Sequence, residues 1–205
     1  MFTKTMSAVL RPVALAALLV SAGLTAAHAQ ATTTTAAAAK PAAPTAAAAS
    51  TAGGGASNIG TFKDWSAFVS TTSDGKMCFI ATQPTSSKYS QTTSGRDPAF
   101  LQITSIPSKN VTNEVSSIAG YTFLASAAVT ADVDGTQFKM FLDASHPDTT
   151  WADASSEAAL VDAMKKGHVF TLTGTSKRKT QVVDTYSLSG ISAALDAAAK
   201  ACAGG

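Results

Sequence analysis

Two cysteines, Cys78 and Cys202, stand 124 residues apart, one near the start of the folded part of the chain and one at its end. A bond between them would close a domain from its first strands to its last segment, which few arrangements permit. The last stretch, Asp184-Thr-Tyr-Ser-Leu-Ser-Gly-Ile-Ser-Ala-Ala-Leu-Asp-Ala-Ala-Ala-Lys-Ala-Cys202, reads as a strand end, a turn at Ser189-Gly190 and a short helix. Leu188, Ile191, Leu195, Ala199 and Cys202 follow at spacings of three or four, so they share one helical face and aim Cys202 inward. Cys78 lies between Met77 and Phe79 in a β-prone run, where alternation directs it to one face of a sheet. In an oxidising compartment such a pair favours a disulfide. Two buried free thiols are the alternative, and a two-thiol metal site would need further ligands from only three histidines.

The N-terminus predicts that compartment. Lys4 and Arg11 supply a positive region, Pro12 to Val20 an apolar one, and Ala27-His28-Ala29 a small-x-small cleavage site. Residues 1–29 are therefore read as a signal peptide, leaving no transmembrane segment in the mature chain. Removing it takes away two of the 15 basic residues and leaves 13 against 13 acids. A neutral protein gives nucleic acid no electrostatic footprint. Residues 30–58 are Ala, Thr, Pro, Ser and Gly with Lys40 as their one charge, and hold nothing large and apolar to bury. They read as a disordered tether.

Residues 59–205 are the expected domain, mainly β. Phe62–Val69 and Lys76–Thr82 are strand-like runs joined by Ser73-Asp74-Gly75, and Pro84 to Pro98 is a polar loop. Leu101 with Ile103, and Val111 with Val115, mark two more strands. Val129, Ala131 and Val133 alternate up to Asp134-Gly135, and Phe138, Met140 and Leu142 alternate beyond it, which predicts a hairpin. After Trp151 the period becomes helical. Ser155 or Ser156 can cap, Leu160, Val161 and Met164 form the buried stripe, and Gly167 ends the helix. His168–Thr173 and Gln181–Tyr186 are the last strands. About seven strands and two short helices, one of them C-terminal, point to a β-sandwich.

Several segments together resemble the invasion-associated locus B family of secreted bacterial proteins. They are Trp65, Cys78-Phe-Ile-Ala-Thr-Gln-Pro84, Gly120-Tyr-Thr-Phe123, Trp151, Ala163-Met-Lys-Lys-Gly167, and Asp184-Thr-Tyr-Ser-Leu-Ser-Gly-Ile-Ser-Ala-Ala-Leu195 before Cys202. The resemblance implies an immunoglobulin-like sandwich, export to the periplasm or cell envelope, and a role in host-cell invasion or adhesion. Its partners would be other envelope or host-surface proteins. The family usually carries glycine in the turn before its last strand, where Ser176-Lys-Arg-Lys-Thr180 has Lys179. A changed shape is expected for that loop.

The residues carry no enzyme signature and no cofactor motif: there is no Gly-x-Ser-x-Gly elbow, His-Glu-x-x-His or phosphate-cradling glycine loop. His146, in Asp143-Ala-Ser-His-Pro-Asp148, has candidate triad partners nearby, though such a cluster suits a hydrogen-bonded turn. Asp132, Asp134 and Gly135 lack the spacing of a calcium loop. Lys177, Arg178 and Lys179 are a candidate contact for an anionic surface, or else a solvated turn. The expected function is that of a non-catalytic envelope protein; a periplasmic carrier of a small molecule or lipid is the alternative.

Overall fold

Alternation of apolar and polar residues dominates residues 55–203, the part of the chain that the computed structural model describes. Residues 1–29, read as a signal peptide, and nearly all of residues 30–58, read as a tether, lie outside the described residues. Eleven strands form: β1 (Ser57–Phe62), β2 (Trp65–Thr72), β3 (Gly75–Thr82), β4 (Ser86–Tyr89), β5 (Phe100–Ile106), β6 (Val111–Ile118), β7 (Val129–Val133), β8 (Thr136–Leu142), β9 (Thr149–Ala152), β10 (Val169–Thr175) and β11 (Gln181–Ser187). Two α-helices accompany them, α1 (Glu157–Lys166) and α2 (Ile191–Ala203). The mainly β architecture with a C-terminal helix is as expected.

The strands hydrogen-bond into one antiparallel sheet in the order β1-β2-β3-β5-β6-β9-β8-β7-β10-β11-β4. Its two ends share a core. Trp65, Ile80, Leu101, Ile103 and Val115 pack in the same buried cluster as Ala131, Phe170, Leu172 and Tyr186 from the far side of the order. The sheet therefore folds back on itself, as burying its apolar face requires. Two bonds hold the fold where β2 meets the end of β11. The Trp65 indole N–H donates to the Ser187 carbonyl at 3.0 Å, and the Asp64 amide donates to the Ser189 carbonyl at 3.3 Å.

More strands form than the sequence predicts because three of them are short or disguised. Phe62–Val69 is not one strand: Lys63, with φ of 55°, turns the chain between β1 and β2. β1 itself begins at Ser57, two residues inside the stretch read as tether. The polar segment Pro84–Pro98 contains β4, which pairs with β11 along Val182↔Tyr89 to Thr185↔Ser86. β9, which contains Trp151, joins β6 to β8. The hairpin of β7 and β8 is the expected one, with Val133 opposite Thr136 across Asp134-Gly135.

Both helices bury the stripes their spacing sets. Leu160, Val161 and Met164 are buried in α1. Neither Ser155 nor Ser156 caps it with a side-chain bond. Asp153 instead accepts from the Ser155 amide at 2.9 Å in the turn just before the helix, and Glu157 reaches across to accept from the Val115 amide at 2.8 Å. In α2 the buried residues are Ile191, Ala194, Leu195 and Ala198, while Ala199, expected on this face, is exposed. A helix of 3.6 residues per turn drifts off a strict spacing of four, so Ala198 takes the inward place. Gly190, at φ of 95°, starts α2 where an added Cβ would stand 1.9 Å from the Phe62 carbonyl oxygen, so only glycine fits.

Cys202, one turn beyond Ala198, is bonded to Cys78 of β3, with Cα atoms 5.9 Å apart. The Lys76 ammonium adds a bond to the Ala201 carbonyl at 3.2 Å, tying the same two elements a second time.

Candidate functional site

Inward-facing positions on β11 alternate as Val182, Asp184 and Tyr186, all buried. A carboxylate on that face needs a partner, since a buried ion without one costs several kcal/mol. Arg96 supplies it from the loop after β4. Its guanidinium donates to both carboxylate oxygens, at 3.0 and 2.9 Å, and the Ser87 hydroxyl donates to one of them at 2.6 Å. Burial works against the Arg96 charge, but the bonds and field of Asp184 outweigh it and raise the Arg96 pKa above its ordinary value.

Tyrosines surround this pair. The Arg96 guanidinium lies 5.8 Å from the Tyr89 ring centroid and 5.9 Å from that of Tyr121, within cation–π reach of both. Burial, followed by the Asp184 charge, pushes the hydroxyl pKa of Tyr121 and of Tyr186 well above the usual phenol value, so both remain neutral. Tyr186 also packs edge-on against Phe170, at 5.8 Å between centroids.

Tyr121 reaches this position through Gly120, whose φ is 69°. A Cβ there would stand 2.0 Å from the Asp97 carbonyl oxygen. The Asp97 amide donates to the Gly120 carbonyl at 3.2 Å, which docks the Arg96 loop on the Gly120–Phe123 segment. The turn between β10 and β11 is fixed to the other side of that segment, because Lys177 N–H donates to the Thr122 carbonyl at 2.9 Å and Leu124 N–H to that of Thr175 at 2.8 Å.

The three pieces enclose a surface cavity of about 610 Å³. Its wall includes Tyr89, Arg96 and Tyr121, Thr93 and Ser94 of the Arg96 loop, and the exposed cations Lys177 and Arg178. Asp97 is the one acid on it. Lys179 does not line the cavity. It follows the Lys177-Arg178 pair at the turn tip and has φ of 62°, a conformation suited to glycine.

The remaining sequence candidates fall elsewhere. His146 is in an exposed turn in which Asp143 accepts from the Ser145 amide at 2.9 Å and from its hydroxyl at 2.7 Å. Its Nδ1 is the nitrogen nearest both Ser145, at 3.4 Å, and Asp143, at 3.7 Å. A Ser–His–Asp relay needs one ring nitrogen for each partner, so this cluster is not one. Asp134 accepts from the amides of His168 and Val169 at 2.8 and 3.0 Å, joining the hairpin tip to β10. No group of three or more metal-binding side chains occurs among the described residues. Trp65 is wholly buried, and Trp151 is half-buried, stacked on Phe141 with centroids 5.8 Å apart.

The sequence reading found the basic loop and missed Arg96 and Tyr89, both inside the segment Pro84–Pro98 read as a polar loop. The signal available was Asp184: an acid alternating with Val182 and Tyr186 on an inward face calls for a cation elsewhere in the chain.

Fold and cavity together define a disulfide-closed, mainly β domain with a basic, tyrosine-walled recess at one end of its folded sheet. The chain belongs to the Invasion associated locus B (IalB) protein family, whose model matches residues 65–199 of the 205. Among solved structures, it is similar to invasion associated protein B from Bartonella henselae. The identity is 17% and the TM-score 0.43, over 67% of this chain and 92% of that one. A search of curated proteins found no match. No helix among the described residues is long and apolar enough to cross a membrane.

Proposed function

We propose that this is an exported bacterial envelope protein that acts by binding other proteins at the cell surface or in the envelope rather than by catalysis, with host-cell invasion or adhesion as its most specific role. In this reading residues 1–29 direct export, residues 30–58 form a tether, and the domain beyond them carries the binding surface. The observation that carries it is membership of the invasion associated locus B family over residues 65–199. The Cys78–Cys202 bond supports export, because such bonds persist in oxidising compartments. Deleting the gene from its host is expected to reduce host-cell entry or alter envelope integrity. A deletion strain with unchanged entry, envelope integrity and surface properties would sink the reading.

The cavity favours a second reading, carriage of a small ligand in the periplasm. Its volume of about 610 Å³ is of ligand-binding size. The space between the two halves of the sheet is not the place for such a ligand, since Trp65, Phe170 and Tyr186 fill it. Native mass spectrometry of protein purified from its own host separates the two: a carrier retains a bound mass, and a purely protein-binding domain does not.

A further inference from the structure

The basic triad Lys177, Arg178 and Lys179 is divided by the fold. Lys177 and Arg178 line the cavity, and Lys179 does not. Neither cavity cation makes a salt bridge or a side-chain hydrogen bond among the described residues. Arg96, by contrast, has its charge matched by Asp184 at 2.9 Å and is held between two tyrosine rings. It orders the wall, while Lys177 and Arg178 remain available, with Asp97 as the only opposing charge there.

This wall presents three chemistries side by side. Tyr89, 40% exposed on the edge strand β4, offers ring surface, and half-buried Tyr121 a smaller share, since Arg96 covers one side of each ring. Thr93 and Ser94, both exposed, offer hydroxyls that donate and accept. Lys177 and Arg178 offer charge-assisted bonds to an anion. A saccharide matches the first two, because the C–H face of a pyranose packs on an aromatic face while its hydroxyls bond around the rim. A carboxylate or sulfate on that sugar matches the third. The cavity lies within the roughly 300–1,000 Å³ range of small-ligand sites, and a disaccharide falls in it.

We propose that the cavity bounded by Tyr89, Tyr121, Lys177 and Arg178 is a binding site for an acidic saccharide. An anionic membrane is the less suitable partner, because the cavity is concave and a flat surface would not reach Tyr121, which is half-buried in its wall. The proposal is independent of the envelope-protein reading, since it is measured on the isolated protein and that reading is measured in cells.

The test is calorimetric titration of the exported protein with a sulfated uronic-acid disaccharide from heparin, with lactose as the neutral counterpart. Saturable one-to-one binding of the sulfated sugar and none of lactose is expected. The Lys177→Ala, Arg178→Ala double variant should bind about tenfold more weakly or worse, with Lys179→Ala within about twofold of the parent. Tyr89→Ala should also weaken binding, and Tyr89→Phe should restore it, because the ring face and not the hydroxyl is used. All four positions are exposed, and an unchanged melting temperature confirms that the fold is retained. Three results would overturn the site: no binding of the disaccharide, an equal loss in Lys179→Ala and the double variant, or displacement of the sugar by equimolar inorganic phosphate. Binding to phosphatidylglycerol vesicles without binding to the sugar would replace it with a membrane contact.

Discussion

Arg96 and Asp184, 88 residues apart in sequence, meet through two parallel N–H···O bonds of 3.0 and 2.9 Å, with side chains 12% and 2% exposed. The bond joins a loop of otherwise solvated residues to the inward face of β11. Without Arg96, Asp184 would keep only the Ser87 hydroxyl, and the cavity would lose the cation between its two tyrosines.

That geometry predicts an asymmetric mutational cost. Arg96→Ala is expected to destabilise the domain by about 3–5 kcal/mol, because it strands a buried carboxylate. Replacing both residues, as Arg96→Met with Asp184→Leu, should cost much less than the sum of Arg96→Met alone and Asp184→Leu alone. Urea unfolding of the four proteins of this cycle measures it. Additive losses would show that the two side chains do not act as a pair.

A second prediction concerns acid. Asp134, Asp143 and Asp153 all hold their protons less tightly than free aspartate. The leading causes are the His168 amide for Asp134 and the side-chain hydroxyls of Ser145 and Ser155 for the other two. Their folded pKa values are depressed, so the stability they add is present above the unfolded value of about 3.9 and lost as pH falls through the folded values. Glu157 runs the other way. Burial raises its pKa, so its contribution is present at low pH and lost as pH rises through the folded value. Asp134→Asn should therefore flatten the fall in melting temperature below about pH 4, and Glu157→Gln should steepen it. Identical acid limbs for all three proteins would refute the assignment.

The legible parts of the fold were those whose own side chains decide their structure. The Asp134-Gly135 hairpin, the Leu160–Val161–Met164 stripe and the inward-facing Cys202 are each set by local spacing, and each forms. β4 was illegible because Ser-Ser-Lys-Tyr buries almost nothing. Its conformation comes from pairing with β11, information that lies about 90 residues away. The break between β1 and β2 was hidden because Lys63 holds a positive φ that usually advertises itself as glycine or asparagine. The same lack of local signal concealed Arg96, whose importance is visible only from Asp184.

A third prediction is for the crosslink. The chain-entropy model gives about 5 kcal/mol for a loop of this length, as an upper figure. Cys78→Ser, Cys202→Ser and the double variant should lose similar amounts, since each removes the same bond between β3 and α2. Reduction should lower the melting temperature while leaving the folded β signature in circular dichroism, because the core cluster draws residues from strands and helices all along the domain and not from the bonded pair alone. A double variant much less stable than either single one would mean that the thiols contribute mainly by packing.

The fourth prediction is at Lys179, where lysine holds a φ of 62° just after the Lys177-Arg178 tip of the turn between β10 and β11. A left-handed conformation costs an L-residue with a Cβ about 1 kcal/mol, and glycine almost nothing. The turn is tightly bonded: Lys179 N–H donates to the Ser176 carbonyl at 2.8 Å, and Ser176 N–H to that of Thr180 at 2.9 Å. It therefore cannot relax the strain by changing shape without breaking the end of the β10–β11 ladder. Lys179→Gly should stabilise the domain by about 0.5–1 kcal/mol, less the entropy that glycine adds to the unfolded chain. Lys179→Ala removes the same charge but keeps the Cβ, so it should give little or none of that gain. Thermal unfolding of the two variants beside the parent separates backbone strain from charge. Equal stabilisation by glycine and alanine would show that crowding of positive charge with Lys177 and Arg178, rather than φ, is what the lysine costs.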